Sequence, residues 1–150
     1  MKVDDLELPI VSSLQGFMVL GTLYTLSDRV SKKLRRRIAC AWGKFHQIWP
    51  LLARRHTDLN RRLRLFDSTV SKTMLWCCES WTLTVDEKRM LLTTQRAMLR
   101  RFAATRRRPE QDFITWVQEA TNQAENRARN AGVMSWLDRF FDLSGIGPDM

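Results

Sequence analysis

Apolar residues recur every three or four positions along most of the chain between residues 30 and 143. This spacing places them on one face of an α-helix, because the helix has about 3.6 residues per turn. The first such stretch contains Val30, Leu34, Ile38, Ala41, Phe45 and Ile48. We therefore predict a mainly α fold, in which a short N-terminal β-hairpin is followed by a bundle of about five helices.

Boundary signals separate the first two helices. Ser27 can cap a helix that starts at Asp28, and Pro50 ends its regularity. A second helix is predicted from Asp58 to about Cys77. Its apolar stripe is Leu59, Leu63, Phe66, Val70, Met74 and Cys77. Each helix thus presents one apolar face, as helices of a bundle do.

A third helix begins with a capping signal. Thr84 and Glu87 have the spacing of a capping box, in which each side chain bonds to the backbone of the other residue. The residues that this helix is expected to bury are Leu91, Thr94, Met98 and Phe102. We predict that it ends in Arg106, Arg107 and Arg108, cations that suit the negative end of the helix dipole.

Two more helices complete the pattern. Pro109 is predicted to open the fourth helix at its first position, and Gly132 to break it. Its apolar face is Phe113, Trp116, Val117, Ala120, Ala124 and Ala128. A last short helix is predicted from Val133 to Leu143. Trp76 and Trp81 bracket a turn, and we expect them to lock two helices together.

The N-terminal residues read as strands rather than helix. Residues 8–13 and 17–25 are predicted strands, joined by a turn at Gln15 and Gly16. The chain then divides into a β-hairpin segment (1–26), a basic helical domain (27–105), a C-terminal helical extension (109–143) and a tail (144–150).

The charge is strongly positive and unevenly distributed. The chain has 25 Lys and Arg against 16 Asp and Glu, a formal net charge of +9. Residues 29–64 contain twelve basic side chains and one acid, Asp58, and residues 88–108 contain eight basic side chains and no acid. Such segregation predicts an anionic partner, with RNA or DNA first and an acidic membrane surface second.

The cations of these two segments are the predicted phosphate contacts. They are Lys32, Lys33, Arg36, Arg37, Lys44, Arg54, Arg55, Arg61, Arg62, Arg64, Arg89, Arg96, Arg100, Arg101, Arg106, Arg107 and Arg108. Trp42 and Trp49 lie on the first basic helix, where they can either stack on bases or pack in the core. Backbone contacts of this kind hold a nucleic acid without reading its sequence.

No pattern indicates catalysis, a metal or a cofactor. Among the acids, Asp4 and Asp5 lie near the start of the chain, while Glu79 stands alone. The adjacent Cys77 and Cys78 lack the spacing of a zinc site, and no nucleophile motif or phosphate loop is present. We expect no enzyme activity, no cofactor and no metal. The odd number of three cysteines suits a reducing, intracellular compartment, the nucleus or the cytoplasm.

An uncharged run leaves a lesser alternative open. Residues 8–27 are long enough to span a bilayer, and the acids before them and bases after them suit a cytoplasmic C-terminal side. The run also contains Pro9, Gln15, Gly16 and Gly21, which are poor for insertion. A membrane-anchored basic protein is therefore the weaker interpretation.

Five segments resemble one family of polymerases. Residues 37–45 (RIACAWGKF) resemble the arginine-led, alanine-rich helix that follows the palm of non-LTR (LINE-type) retrotransposon reverse transcriptases. Residues 63–70 (LRLFDSTV) and 95–101 (QRAMLRR) are similar to later helices of that region, and 75–83 (LWCCESWTL) is the closest match. Residues 17–21 (FMVLG) resemble the strand beside the primer terminus, with Val19 where the family prefers Tyr.

The resemblance implies the last palm hairpin plus the thumb, the region that grips the primer–template duplex in this family. Residues 27–105 would then be the thumb-like domain. The catalytic aspartate pair of the family has no counterpart in this sequence, so the implied function is a non-catalytic fragment. Its implied partners are a primer–template duplex and the missing palm and fingers of a longer polyprotein. A helical protein-interaction module and a non-functional retrotransposon relic remain alternatives.

Overall fold

A computed structural model of the chain describes residues 2–3, 6–7, 17–20, 22–24 and 30–148. The described residues are mainly helical, and their helices form five rods after two short hairpins, which confirms the predicted mainly α fold class. The helices are α1 (Val30–Leu52), α2 (Leu59–Phe66), α3 (Lys72–Met74), α4 (Val85–Ala103), α5 (Phe113–Asn130) and α6 (Trp136–Ser144). A π-helical segment, Asp67–Ser71, joins α2 and α3 into one rod.

The strands are short and pair in two antiparallel hairpins. β1 (Lys2–Val3) pairs with β2 (Leu6–Glu7). β3 (Phe17–Val19) pairs with β4 (Thr22–Tyr24), with Val19 opposite Thr22. The prediction of one strand over 17–25 was wrong, because the chain reverses at Leu20, whose φ is +47°. The predicted strand 8–13, the turn at Gln15 and Gly16, and the Ser27 cap lie outside the described residues.

The first helix, α1, buries the apolar stripe that its spacing predicts. Leu34, Ala41 and Phe45 are fully buried, and so is Leu52. The prediction that Pro50 ends the helix was wrong, since α1 continues to Leu52. A proline in the last turn removes one backbone hydrogen bond, and the burial of Leu52 outweighs that loss.

The second rod contains the largest departure from the predicted pattern. Asp58 caps α2 by accepting a hydrogen bond from the Arg61 backbone, and Phe66 and Val70 are buried as predicted. Cys77 was wrongly placed in this stripe, because the rod ends at Met74 and Cys77 turns the chain with a φ of +57°. The neighbouring Cys78 is the buried cysteine. The π segment shifts the helical register, which apolar spacing does not predict.

The capping box of α4 is confirmed. The Thr84 backbone N–H donates to Glu87 Oε2 at 2.8 Å, and the Glu87 N–H donates to Thr84 Oγ1 at 3.3 Å. The predicted arginine-rich end of this helix was wrong, since α4 ends at Ala103. Residues 105–108 instead belong to neither a helix nor a strand, and the Thr105 N–H donates to the side chain of Gln123 at 2.8 Å.

The start of α5 also differs from the prediction. Pro109 does not open the helix; it lies in a turn closed by the Gln111 N–H bonding to the Arg108 carbonyl at 3.1 Å. Pro109 suits that second turn position because its φ is already fixed near the required value. Asp112 caps α5 instead, and hydrogen bonds from Thr115 lower the pKa of its carboxyl group.

The C-terminal helices complete one shared core. Ala120, Ala124 and Ala128 of α5 are buried as predicted, and α5 packs along α4. Gly132 ends α5 with a φ of +79°, a left-handed conformation that glycine adopts without strain. The last helix starts at Trp136 rather than at the predicted Val133, because Ser135 supplies the cap.

Candidate nucleic-acid interface

A cavity of about 430 Å³ lies where the ends of α1 and α4 meet α2 and α5. Five arginines line it, from both predicted basic segments and from α5. They are Arg55, Arg62, Arg101, Arg106 and Arg127. None of the described residues that line the cavity is an Asp or a Glu. We call this cavity the arginine cleft.

Two of these guanidinium groups are fixed by helix ends. Arg62 donates from Nη1 to the Leu52 carbonyl at 2.9 Å and from Nε to the Thr57 carbonyl at 3.1 Å. Arg127 donates from Nη1 to the Ala103 carbonyl at 2.6 Å. The carbonyls of Leu52 and Ala103 end α1 and α4, where the helix dipole favours a cation. The fold therefore needs these two arginines for its own backbone, and each keeps further N–H donors.

A third guanidinium lies on an aromatic ring. The Arg101 guanidinium lies 4.8 Å from the centroid of the Trp42 ring, a cation–π contact. Trp42 also packs on Phe45, with ring centroids 5.5 Å apart. The ring face beneath Arg101 is thus occupied within the fold. Trp49, the other predicted stacking residue, packs on Phe45 at 5.4 Å and lines the cleft.

The remaining two arginines are exposed at the cleft rim. Arg55 lies between α1 and α2, and Arg106 follows α4. Neither forms a hydrogen bond or an ion pair within the described part of the chain. Their long side chains are therefore able to reorient onto a ligand. The cleft combines fixed arginines with adjustable ones.

The concentration of like charge determines what the cleft can bind. A guanidinium group offers a planar set of donors that matches two phosphate oxygens. Like charges also repel each other, and a bound anion relieves that repulsion. A neighbouring cavity of about 530 Å³ shows the contrast, because Glu110 and Glu119 line it together with Arg106 and Arg108. The arginine cleft has no such internal neutralisation among its described lining residues.

The predicted row of arginines on α4 mostly serves the fold. Arg96 Nε lies 2.6 Å from Glu125 Oε1, and Arg100 Nη1 donates to Thr121 Oγ1 at 3.0 Å, both across the packing with α5. Arg89 pairs at 3.6 Å with a carboxylate one turn earlier on α4. Burial lowers the pKa of Arg100, and the charge of Arg96 lowers it further. This row therefore offers less free charge than the sequence suggests.

The other predicted cations are spread over the surface. Arg37 and Lys44 line a separate groove on α1, and Lys33 is partly buried on the same helix. The exposed predicted cations outside the cleft are Lys32, Arg36, Arg54, Arg61, Arg64, Arg89, Arg107 and Arg108. Of these, Arg54 adjoins Arg55, and Arg107 adjoins Arg106. Positive charge thus continues from the cleft rim onto its surroundings.

Sequence reasoning missed two cations that line these cavities. Arg127 lies in the acidic C-terminal part of the chain, so charge segregation gave no reason to select it. Its position in the last turn of α5 was the available signal, because helix C-termini favour cations. Lys72 lies beyond the first basic segment and lines the groove with Arg37 and Lys44.

The described residues show no group suited to metal chemistry. They contain no cluster of three or more His, Cys, Asp or Glu that could hold a metal ion. Burial raises the pKa of the Cys78 thiol to about 11, with a further contribution from Glu79. That thiol therefore stays protonated at neutral pH and packs as a core residue.

Among the described helices, none is long and apolar enough to span a membrane.

Comparisons with known proteins return no match. No family model, no curated protein and no solved structure matches this chain. The resemblance to the thumb of a reverse transcriptase therefore stays a prediction.

Proposed function

We propose that this chain binds the phosphate backbone of a nucleic acid through the arginine cleft, as a non-catalytic helical module resembling a reverse-transcriptase thumb. The observation that carries the proposal is the convergence of five arginines in a cleft without a lining carboxylate among the described residues. They come from three helices and two connecting segments, which lie in three separate parts of the sequence. Folding, rather than local composition, brings them together.

A polymeric anion fits this site better than a single small one. A single phosphate group carries about −1.5 to −2 charges at neutral pH, so about two guanidinium groups neutralise it, and five arginines exceed that need. Exposed Arg54 and Arg107 extend the positive surface beyond the rim. A nucleic-acid backbone supplies phosphates at regular spacing and releases counterions when cations neutralise them. We infer a sequence-independent contact with a duplex, since cations of this kind read no base edges.

The proposed location of the protein is inside the cell. Cys40, Cys77 and Cys78 are all free thiols, which fits a reducing compartment. The nucleus or the cytoplasm also contains the nucleic acid that the proposal requires.

Salt dependence of binding tests the proposal. Fluorescence anisotropy would measure the affinity for a labelled duplex of about 20 base pairs across a salt series. With about five phosphate contacts, log K is expected to fall against log salt with a slope of roughly −4 to −5. Absence of binding at low salt, or a flat dependence, would overturn the proposal.

A matched pair of variants locates the contact. Arg55→Gln should lower the affinity and reduce the salt slope by about 1, because it removes one phosphate contact. Arg129→Gln removes the same charge from an exposed position of α5 outside the cleft and should change neither quantity appreciably. Circular dichroism would check that both variants fold. Equal effects of the two substitutions would show that only net charge matters and that the cleft is not the site.

One observation favours a second candidate, a helical protein-interaction module. Met18, Val19 and Leu20 expose apolar surface at the tip of the β3–β4 hairpin. In the family that the sequence resembles, such a hairpin belongs to the palm, so the missing palm and fingers are the partner that this candidate implies. Charge reversal at Arg36, Arg37, Arg61 and Arg64 should leave capture of such a partner intact, whereas Leu20→Asp should abolish it.

A further inference from the structure

We propose that the chain has a second nucleic-acid site, for a single strand, in a groove separate from the arginine cleft. The groove has a volume of about 490 Å³ and runs between α1 and the π–α3 part of the second rod. Its described lining is Leu20, Arg37, Lys44, Ser68, Thr69, Lys72, Thr73 and Trp76. We call it the tryptophan groove. This inference does not depend on whether the arginine cleft binds a duplex.

The two sites lie on opposite sides of α1. Arg37 and Lys44 are seven residues apart, so they fall within about 20° of each other around the helix axis. Trp49, which lines the arginine cleft, is rotated from them by roughly 120–140°. The buried stripe of Leu34, Ala41 and Phe45 lies between the two directions. A ligand in the cleft therefore does not fill the groove.

The charge of the groove suits a phosphate chain. Arg37 and Lys44 of α1 face Lys72 of α3 across it, and none of its described lining residues is acidic. The hydroxyl groups of Thr69 and Thr73 donate to the carbonyls one turn earlier, at 2.6 Å and 2.9 Å. Their oxygens consequently remain as acceptors, for donor groups of a sugar or a base. The three cations supply the positive charge that attracts a phosphate chain.

Trp76 gives the groove its preference for a single strand. Trp76 is 52% exposed, and its Nε1 donates to the Leu20 carbonyl at 3.2 Å, which fixes the ring at the groove edge. The sequence predicts that Trp76 and Trp81 lock two helices together. Trp76 instead bonds to the hairpin tip, whereas the buried Trp81 stacks on Phe140 of α6. Unpaired bases stack readily on an exposed aromatic ring. A duplex keeps its bases stacked inside and offers the ring no face.

Binding of labelled oligo(dT) of about 12 nucleotides tests the groove, with an equally long duplex as comparison. Trp76→Ala should weaken oligo(dT) binding about tenfold, in line with the loss of one stacked base, and leave duplex binding unchanged. Trp76→Phe keeps an aromatic face and loses only the bond to Leu20, so it should stay within about threefold of the parent. If the Phe variant falls as far as the Ala variant, Trp76 acts through the hairpin and the stacking proposal is wrong.

Two variants that each remove one positive charge, and a competition experiment with unlabelled duplex, complete the test. Lys72→Gln should reduce the salt slope for oligo(dT) by about 1, while Arg129→Gln should not. Oligo(dT) should still bind when unlabelled duplex saturates the arginine cleft, because the sites are separate. Displacement by the duplex would overturn the second site, and so would oligo(dT) binding that is indifferent to both Trp76 and Lys72. Failure of duplex binding alone would count only against the arginine cleft.

Discussion

At the scale of single residues, a small set of buried polar groups fixes the position of α6. Trp136 is fully buried and stacks on Phe66, with ring centroids 6.0 Å apart and planes within 6°. Its indole Nε1 donates to Ser71 Oγ at 2.7 Å, and its backbone N–H donates to Gln95 Oε1 at 2.8 Å. Each buried donor of Trp136 thereby has a partner, as a stable core requires.

Removing the Ser71 hydroxyl should destabilise the protein. In Ser71→Ala the buried indole N–H loses its acceptor, and we expect the free energy of unfolding to fall by about 1–3 kcal/mol. Urea denaturation followed by circular dichroism would measure the loss. Ser80→Ala, at an exposed serine, is the matched control and should stay within about 0.5 kcal/mol of the parent. A Ser71 variant as stable as the Ser80 variant would contradict the assigned role of this hydrogen bond.

The contrast between predicted and unpredicted core residues has a physical cause. Leu34, Phe45 and Met98 follow from helical spacing, because each lies on a face that is apolar along its whole length. Ser71 and Gln95 do not, since their burial results from contacts with α6, which is distant in the sequence. The helical spacing of apolar residues identifies apolar faces, but it does not identify polar residues that long-range packing buries.

At the scale of helices, boundaries set by a local signal were easier to predict than boundaries set by residues distant in the sequence. The capping box of α4 is a local pattern, so the spacing of Thr84 and Glu87 predicts it from the sequence. The end of α4 at Ala103 depends on Arg127, whose guanidinium binds the terminal carbonyl from another helix. The sequence next to Ala103 carries no sign of that partner. The arginines at 106–108 therefore suggested a longer helix than the fold contains.

The capping box itself gives a prediction about the start of α4. Thr84→Ala removes the acceptor of the Glu87 N–H and should lower the free energy of unfolding by about 1 kcal/mol. Thr84→Ser keeps a hydroxyl cap and should lose much less. Thermal denaturation of the two variants would compare them, and an equal loss in both would show that the methyl group, rather than the cap, stabilises this site.

One ion pair links the π segment to α6. Arg139 Nη2 lies 2.9 Å from Asp67 Oδ2, and both side chains are partly buried. The second oxygen of Asp67, Oδ1, is buried without a hydrogen-bond partner among the described residues. This carboxylate consequently relies on Arg139 for most of its compensation.

A double-mutant cycle should detect this dependence. Arg139→Gln leaves the Asp67 charge partly buried, and we expect a loss of about 1–3 kcal/mol in the free energy of unfolding. Adding Asp67→Asn removes that uncompensated charge and should recover part of the loss, with a coupling energy of about 0.5–3 kcal/mol. Purely additive effects of the two substitutions would contradict the pairing. Urea denaturation of the four proteins supplies the measurement.

At the scale of the whole molecule, the charge pattern was only partly predictable. The sequence identifies two basic segments, and the fold does bring Arg55 and Arg62 of the first to Arg101 and Arg106 of the second. The sequence does not show that Arg127 joins them, or that α5 covers much of the arginine row on α4. Charge segregation predicts the sign of a surface, whereas tertiary packing decides which cations remain available to a ligand.

The arginine cleft should also make the stability of the free protein depend on salt. Its like charges repel, and raising ionic strength from about 0.01 M to about 0.1 M shortens the screening length from roughly 30 Å to roughly 10 Å. We therefore expect the melting temperature to rise over this range, while the affinity for a duplex falls. Differential scanning fluorimetry measures the first quantity and anisotropy the second.

The double variant Arg55→Gln/Arg106→Gln tests whether the salt dependence of the melting temperature and the affinity for a duplex depend on the same side chains. Both arginines are exposed, and neither forms a hydrogen bond or an ion pair within the described part of the chain, so their loss removes repulsion without removing a structural bond. The variant should melt at a higher temperature than the parent at low salt and show a flatter salt dependence, yet bind a duplex more weakly. Arg129→Gln should leave the salt dependence nearly unchanged. A higher melting temperature together with a lower affinity for the duplex, seen in the cleft variant and not in Arg129→Gln, would show that these cations are held together for a ligand. A cleft variant that is less stable than the parent at low salt would show that these arginines stabilise the fold instead.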